Sequence, residues 1–333
     1  MRYNLYYDKP FPDTARENYK YIVDFYGYSV ECLLYMSGGD HFMSSLTKRD
    51  LPIGIFDSGI GGLTVLRALQ NTLPQEQFLY LGDTARLPYG TKSPQTVKNY
   101  ALNANEILVA SGVKALVVAC NTATAVALEA LQEKFYPLPV IGVIHPGATA
   151  SLNLNENGPI VVLATESTAK WHAYRQVLSQ MAPHREVIEW PCSLLVALAE
   201  EGWCEGPLVE QIVSKLLAPL FAQLDEVKVK PACVLLGCTH FPVLKSAIQN
   251  VVGDIPIVDP AHTVAEEVQT LLLEQNLLRL SPTTAKTGFM ATDGVDRFAR
   301  VAQIFLGYPI SSNDVELVTV IPTIVTSAQK AVG

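Results

Sequence analysis

Residues 53–63 read Ile-Gly-Ile-Phe-Asp-Ser-Gly-Ile-Gly-Gly-Leu, and this stretch predicts a buried strand followed by a polar loop and a helix. The apolar run ends at Phe56, and Asp57-Ser58-Gly59 supplies the loop. The second half of the chain repeats this plan, because the apolar run 160–164 precedes Thr165-Glu166-Ser167-Thr168 and a predicted helix. The sequence therefore contains the same strand, loop and helix twice.

A second pair of matching segments follows in the same order. The apolar run 115–119 leads into Cys120-Asn121-Thr122, and the run 232–236 leads into Gly237-Cys238-Thr239-His240. Each cysteine is followed by a predicted helix and then by a strand that a proline introduces. In parallel α/β sheets, ligands bind beyond the carboxyl ends of the strands. If the two units face each other, both thiols approach one ligand from opposite sides.

Short apolar runs alternate with helical patterns from residue 52 onward. In the segment 94–111, for example, apolar residues keep helical spacing, Ser93 is a plausible N-cap and Gly112 ends the helix. Such alternation predicts parallel sheets covered by helices on both faces. We expect two pseudo-symmetric, doubly wound α/β domains with the active site in the cleft between them. The first comprises residues 52–147 plus 260–333, and the second comprises residues 148–259.

Residues 1–51 differ from the rest of the chain, being rich in Tyr, Asp and Lys. We expect an N-terminal extension that is partly disordered, with one short helix near residues 19–26. An alternative is that natural translation begins at Met36 or Met43.

The composition excludes several classes of protein. Of the 333 residues, 49% are hydrophobic and 17% charged, which suits a folded chain with a sizeable core. A net charge of −8 argues against a nucleic-acid partner and against a basic membrane-binding patch. The sequence has neither an apolar run of about 18–20 residues nor the pattern of a signal peptide. We therefore expect a cytoplasmic protein that binds no membrane.

The six cysteines have irregular spacing and form no Cys-x-x-Cys pair, so neither a disulfide framework nor a structural zinc site is predicted. Taken singly, each is more often a buried structural thiol than a reactive one.

Cys120 and Cys238 differ from the others because they occupy matching strand ends. Inverting a stereocentre by proton transfer requires a base on each face of the carbon. Two thiols can supply these, since a cysteine of pKa about 8.5 is tuned toward thiolate at a helix N-terminus.

The neighbours of the two cysteines suit this role. Asn121, Thr122 and Thr239 are compact donors that can hold a carboxylate. His240 could move protons or polarise a developing enolate-like oxygen. Asp57 could pair with a substrate ammonium or orient a thiol, although Asp57-Ser58-Gly59 could equally be a plain helix cap.

The sequence resembles the glutamate racemases from about residue 52 to about residue 310. Five segments carry the resemblance: Gly54–Leu63, Gly82–Gly90, Ala119–Ala123, Gly237–Pro242 and Thr292–Phe298. The resemblance implies an enzyme that interconverts L- and D-glutamate without a cofactor or a metal, supplying D-glutamate for peptidoglycan. It also implies that Cys120 acts on the D-enantiomer and Cys238 on the L-enantiomer, assisted by Asp57 and His240.

The resemblance further implies a set of substrate-binding residues: Ser58, Pro88, Tyr89, Gly90, Asn121, Thr122, Thr165, Thr168, Glu200 and Thr239. Some relatives carry an N-terminal extension and respond to UDP-N-acetylmuramoyl-L-alanine, which makes this peptidoglycan precursor a candidate activator. We also expect a homodimer.

Three other interpretations stay open. The first is a related racemase for aspartate or a hydantoin, although Thr239-His240 after Cys238 favours glutamate. The second is a non-catalytic interaction protein. The third is a thiol-redox protein, which predicts a reversible disulfide between Cys120 and Cys238.

Overall fold

The computed structural model describes residues 20–25, 28–33, 48–154, 157–280 and 285–320. The chain divides into two compact units, residues 1–46 and residues 47–333. In the first unit, strands β1 (Lys20–Phe25) and β2 (Tyr28–Leu33) pair antiparallel, with Phe25 opposite Tyr28. The helix predicted near residues 19–26 is therefore wrong, because β-branched and aromatic residues such as Ile22 and Val23 favour a strand. The predicted disorder and the alternative starts at Met36 and Met43 lie outside the described residues.

Helices and strands alternate through the second unit. In chain order they are β3 (Ile53–Asp57), α1 (Leu63–Thr72), β4 (Phe78–Gly82), α2 (Pro94–Ala110), β5 (Ala115–Val118), α3 (Asn121–Phe135), β6 (Val140–Gly142), α4 (Ile144–Leu152), β7 (Ile160–Ala164), α5 (Glu166–Lys170), α6 (Ala173–Met181), β8 (Val187–Pro191), α7 (Leu194–Glu200), α8 (Pro207–Glu226), β9 (Cys233–Gly237), α9 (Lys245–Val252), β10 (Ile257–Val258), α10 (Ala261–Glu274), β11 (Thr287–Ala291), α11 (Val295–Leu306) and β12 (Val315–Leu317).

These strands form two sheets in which all neighbouring strands are parallel. The six-stranded sheet has the order β12-β11-β4-β3-β5-β6, and the four-stranded sheet has the order β10-β9-β7-β8. The order β4-β3-β5-β6 in the first sheet matches β8-β7-β9-β10 in the second. The predicted α/β fold with two related parallel sheets is thus confirmed, and the exact bounds of its two domains stay a prediction.

The segment 94–111 forms the predicted helix for the predicted reasons. The Ser93 hydroxyl accepts a hydrogen bond from the backbone N–H of Thr96 at 3.3 Å, and Pro94 occupies the first turn. Val97, Ala101, Ala104 and Leu108 form the buried face. Gly112 has the positive φ of +76° that ends the helix.

Within the second unit, three of the described strands were not predicted from the sequence, namely β8, β11 and β12. The run Val187–Pro191 carries a glutamate and a proline, so it does not read as a continuous apolar strand. The central strands are buried along their whole length, as in β3 and β7. Among the helices that the structure describes, none has the length and apolar character needed to cross a bilayer.

Candidate active site

A cavity of about 270 Å³ lies at the carboxyl ends of strands from both sheets. The loops after β3, β4 and β5 line it from the first sheet, and the segments after β7, β8 and β9 line it from the second. The residues lining it are Ser58, Gly59, Leu87, Pro88, Tyr89, Gly90, Thr91, Cys120, Asn121, Thr122, Thr165, Ser193, Val196, Ala197, Glu200, Cys238, Thr239 and His240. Both cysteines that the sequence singled out therefore line one cavity.

Cys120 stands at the N-cap of α3, directly after β5. Its sulfur accepts a hydrogen bond from the backbone N–H of Ala123 at 3.4 Å, and its S–H donates to Ser58 Oγ at 3.5 Å. Burial, together with the negative charge of Asp57, raises the pKa of the Cys120 thiol to about 12. The expectation that the helix N-terminus would bring this pKa toward neutrality is wrong, because desolvation outweighs the hydrogen bonds from the helix.

Cys238 follows β9, and its buried sulfur lies 3.8 Å from His240 Nδ1. Directly after His240 the chain forms a 3₁₀ helix, Phe241–Leu244, and α9 begins only at Lys245. The expected α-helix N-terminus at Cys238 is therefore wrong. Pro242 has no backbone N–H and so cannot take part in a regular helical ladder there. The close polar partner of this thiol is an imidazole.

His240 is buried between two partners, since its Nε2 lies 3.2 Å from Glu200 Oε1 on the side away from Cys238. Burial lowers the pKa of His240, but the hydrogen bonds with Cys238 and Glu200 outweigh this effect and raise the pKa to about 10. Burial raises the pKa of Glu200, but His240 and Arg297 together bring it below its usual value. At neutral pH the pair is thus imidazolium and carboxylate.

Arg297 of α11 belongs to the first sheet's side, and it donates to Glu200 Oε2 at 3.3 Å. Arg297 also lies 3.1 Å from Glu201 Oε1, and 47% of the Arg297 side chain is exposed. The Glu200 carboxylate therefore joins a buried imidazolium to a half-exposed guanidinium.

Asp57 ends β3 and is fully buried, so it does not line the cavity. Its Oδ2 accepts a hydrogen bond from the backbone N–H of Gly59 at 2.9 Å, and burial raises the pKa of its carboxyl group. The loop that follows needs glycine at position 61. A Cβ at Gly61 would lie 2.4 Å from His240 Nδ1, so the loop after β3 lies directly against the histidine.

Three threonine hydroxyls join the two sheets beside Cys120. Thr122 Oγ1 lies 3.0 Å from Thr165 Oγ1 and 3.1 Å from Thr168 Oγ1, and the last two are 3.0 Å apart. Thr122 and Thr165 line the cavity, whereas Thr168 is fully buried behind them. Thr168 therefore contributes by holding the other two hydroxyls.

Asp83 anchors the loop that carries Pro88, Tyr89 and Gly90. Its buried carboxylate accepts hydrogen bonds from the Tyr89 hydroxyl and from Thr292 Oγ1, the latter at 2.9 Å. The Tyr89 hydroxyl is thus bound to Asp83. A Cβ at Gly90 would lie 2.7 Å from Thr165 Cβ, so this loop touches the second sheet's side closely.

A model of the Asp/Glu/Hydantoin racemase family matches residues 53–268. The chain belongs to this family. The glutamate racemase of Geobacter metallireducens is 42% identical over 257 residues, which are 77% of this chain and 92% of that protein. The similarity of this racemase-family chain thus extends over nearly the whole of that relative.

Two solved structures of the family have similar folds. Glutamate racemase from Francisella tularensis, solved in complex with D-glutamate, has a TM-score of 0.74 and 35% identity, covering 82% of this chain and 98% of that one. Escherichia coli glutamate racemase, solved with L-glutamate and the activator UDP-MurNAc-Ala, has a TM-score of 0.66 and 27% identity. The match covers 81% of this chain and 99% of that one.

Most site residues expected from the sequence of this racemase-family chain lie together. All of them line the cavity except the fully buried Asp57 and Thr168, which form hydrogen bonds with lining residues. Sequence reasoning missed the α7 contribution of Ser193, Val196 and Ala197, although Glu200 on the same helix was predicted. It also missed Tyr174, whose hydroxyl donates to Asn121 Oδ1 at 2.7 Å. Nothing in the sequence around Tyr174 distinguishes it from a core residue.

Proposed function

We propose that this protein is a cofactor-independent glutamate racemase that interconverts L- and D-glutamate by proton transfer between two thiols. One observation carries the proposal: Cys120 and Cys238 follow the equivalent strands β5 and β9 of the two sheets, and both line the same cavity. A racemase needs a proton acceptor on one face of the α-carbon and a proton donor on the other. Membership of the family and the glutamate racemase relatives support the same function.

The surroundings of the two sulfurs support different starting states. Burial keeps Cys120 a thiol at neutral pH, so it is placed to donate a proton. The imidazolium of His240 lies 3.8 Å from the Cys238 sulfur. We therefore propose that Cys238 removes the α-proton of L-glutamate and that Cys120 delivers a proton to the opposite face. The product leaves with Cys238 as thiol and Cys120 as thiolate, and the reverse reaction begins from that state.

An anionic substrate must find local donors here, because the protein carries a net charge of −8. The N-terminus of α3 presents backbone N–H groups beside Cys120, and Asn121, Thr122, Thr165 and Thr239 add side-chain donors around the cavity. Ser58, Pro88, Tyr89 and Gly90 would complete the binding surface. We propose that Asp57 and His240 assist the thiols.

The wider role follows from the product. We propose that the enzyme works in the cytoplasm as a homodimer and supplies D-glutamate for peptidoglycan. The activator named for the Escherichia coli structure, UDP-MurNAc-Ala, is a candidate activator of this enzyme as well.

The test is circular dichroism of L-glutamate incubated with the protein and no added cofactor, with and without UDP-MurNAc-Ala. The signal should decay to zero as the racemate forms, and L-aspartate should not react at a comparable rate.

Cys120→Ser and Cys238→Ser should each lower turnover by at least about 100-fold, since each removes one proton-transfer group. Cys204→Ser is the matched control, because Cys204 does not line the cavity. Wild-type turnover in either of the first two variants would refute the two-thiol mechanism.

A further inference from the structure

Tyr174 lies behind the cavity wall and joins the second sheet's side to Asn121 of the first. We propose that Tyr174 is a positioning residue, which fixes the Asn121 side-chain amide so that its N–H₂ group faces the anionic substrate. This inference rests on the proposed racemase function, because it assigns Tyr174 a part in binding that substrate.

The hydrogen bond decides which end of the amide faces the cavity. Tyr174 is fully buried, and its hydroxyl donates to Asn121 Oδ1 at 2.7 Å. Asn121 is the first residue of α3 and lines the cavity. Among the described residues, its amide nitrogen has no hydrogen-bond partner. Because the amide is planar, holding Oδ1 against Tyr174 leaves the two N–H donors for a ligand.

The tyrosine ring is itself held in place from several sides. The Glu189 carboxylate of β8 accepts from the backbone N–H of Tyr174 at 2.9 Å, at the start of α6. A Cβ at Gly147 would lie 3.0 Å from the Tyr174 hydroxyl, and a Cβ at Gly237 would lie 3.0 Å from the ring. The ring thus lies in close contact with both glycines, and Gly237 directly precedes Cys238.

The chemistry of the tyrosine suits a permanent donor. Burial, together with the negative charges of Cys238 and Glu189, raises the pKa of the Tyr174 hydroxyl. The hydroxyl therefore stays protonated and keeps the proton that it donates to Asn121 Oδ1. Without it, the amide could rotate and present Oδ1 to a carboxylate, which would repel it.

The test begins with Tyr174→Phe, which keeps the ring and removes only the hydroxyl. We expect KM for L-glutamate to rise by about tenfold, the range for a hydrogen bond to a charged group, with a smaller change in kcat. Tyr308→Phe is the matched control, since among the described residues the Tyr308 hydroxyl bonds only with the Gln70 side chain, and Tyr308 does not line the cavity. It should leave KM unchanged.

A double-mutant cycle separates positioning from general stability. In an Asn121→Ala background, Tyr174→Phe should have almost no further effect on KM, because the amide it orients is gone. The same rise in KM in both backgrounds would overturn the proposal, as would a wild-type KM in Tyr174→Phe.

Asn121→Asp gives a second test should Tyr174→Phe fold poorly. It keeps an acceptor for Tyr174 but replaces the N–H₂ group with a carboxylate oxygen, so it should raise KM more than Asn121→Ala does. If Asn121→Asp has a KM equal to or lower than that of Asn121→Ala, the proposed orientation of the Asn121 amide is refuted. A wild-type protein that does not racemise glutamate would instead refute the proposed function, which is a different result.

Discussion

His240 keeps its proton because two groups share the imidazole, the buried Cys238 sulfur at 3.8 Å and the part-buried Glu200 carboxylate at 3.2 Å. Its pKa of about 10 lies above the ordinary value of 6.5. The stabilisation from the protonated ring is therefore complete below pH 6.5 and is lost as the pH rises toward 10. The same loss should weaken catalysis, because the positive charge 3.8 Å from the Cys238 sulfur disappears.

Glu200→Gln tests this at the scale of one residue. The substitution removes the negative charge that helps raise the pKa of His240, so the alkaline fall in kcat/KM should move to lower pH. The measurement is the profile of kcat/KM for L-glutamate over roughly pH 6 to 11. Glu201→Gln is the control, because Glu201 bonds with Arg297 but not with His240. Identical profiles for wild type and Glu200→Gln would contradict the assignment.

The sequence identified the chemical groups at this scale better than it identified their environment. Cys120 and Cys238 were found because they follow matching apolar runs. The raised pKa of Cys120 was not predicted, since it depends on burial against Asp57 and other residues distant in sequence. Tyr174 was missed for the same reason, because only the folded chain brings it to Asn121.

Among the connecting elements, the segment between β4 and α2 depends on one buried carboxylate. Asp83 accepts from the Tyr89 hydroxyl, from Thr292 and from Arg86 Nε, whose side chain is only 18% exposed. These contacts fix the loop that brings Tyr89 and Gly90 to the cavity.

Asp83→Ala should destabilise the protein by about 2–4 kcal/mol, because it leaves the buried Tyr89 hydroxyl and the part-buried Arg86 and Thr292 without their acceptor. Binding should weaken as well, since the cavity wall loses its anchor. The melting temperature and KM for L-glutamate are the two measurements. Glu106→Gln is the control, because Glu106 forms a half-exposed ion pair with Lys134, a kind of pair usually worth less than about 1 kcal/mol. Equal losses in both variants would contradict the role of Asp83.

Elements with strong local signals were predictable, and those shaped by distant contacts were not. The helix 94–110 has a serine cap, an N-terminal proline and a terminating glycine within its own sequence. In β8, by contrast, Glu189 interrupts the apolar pattern because its carboxylate binds the start of α6. The 3₁₀ turn after Cys238 also departs from the helix predicted there.

For the whole molecule, the repeated plan in the sequence predicted the repeated strand order of the two sheets. It could not predict how closely the halves approach. That distance is set by contacts between residues far apart in the chain, such as Thr64 Oγ1 donating to the Thr239 carbonyl at 3.1 Å. At this separation both thiols line one cavity.

Gly61→Ala tests whether this separation is necessary. The new Cβ would lie 2.4 Å from His240 Nδ1 and 2.5 Å from Thr239 Oγ1, so either the loop after β3 or the segment after β9 must move. Such overpacking costs about 1–3 kcal/mol of stability. Turnover should fall by at least about 100-fold, which is more than the loss of stability alone would cause, because a displacement near 1 Å disturbs proton transfer.

The melting temperature and kcat for L-glutamate measure the two effects. In the control Gly54→Ala, the new Cβ would lie 2.9 Å from the Leu116 side chain, away from the cavity, so stability should fall while turnover changes far less. A Gly61→Ala enzyme with normal turnover would mean that the two halves can adjust their separation without harm to the reaction.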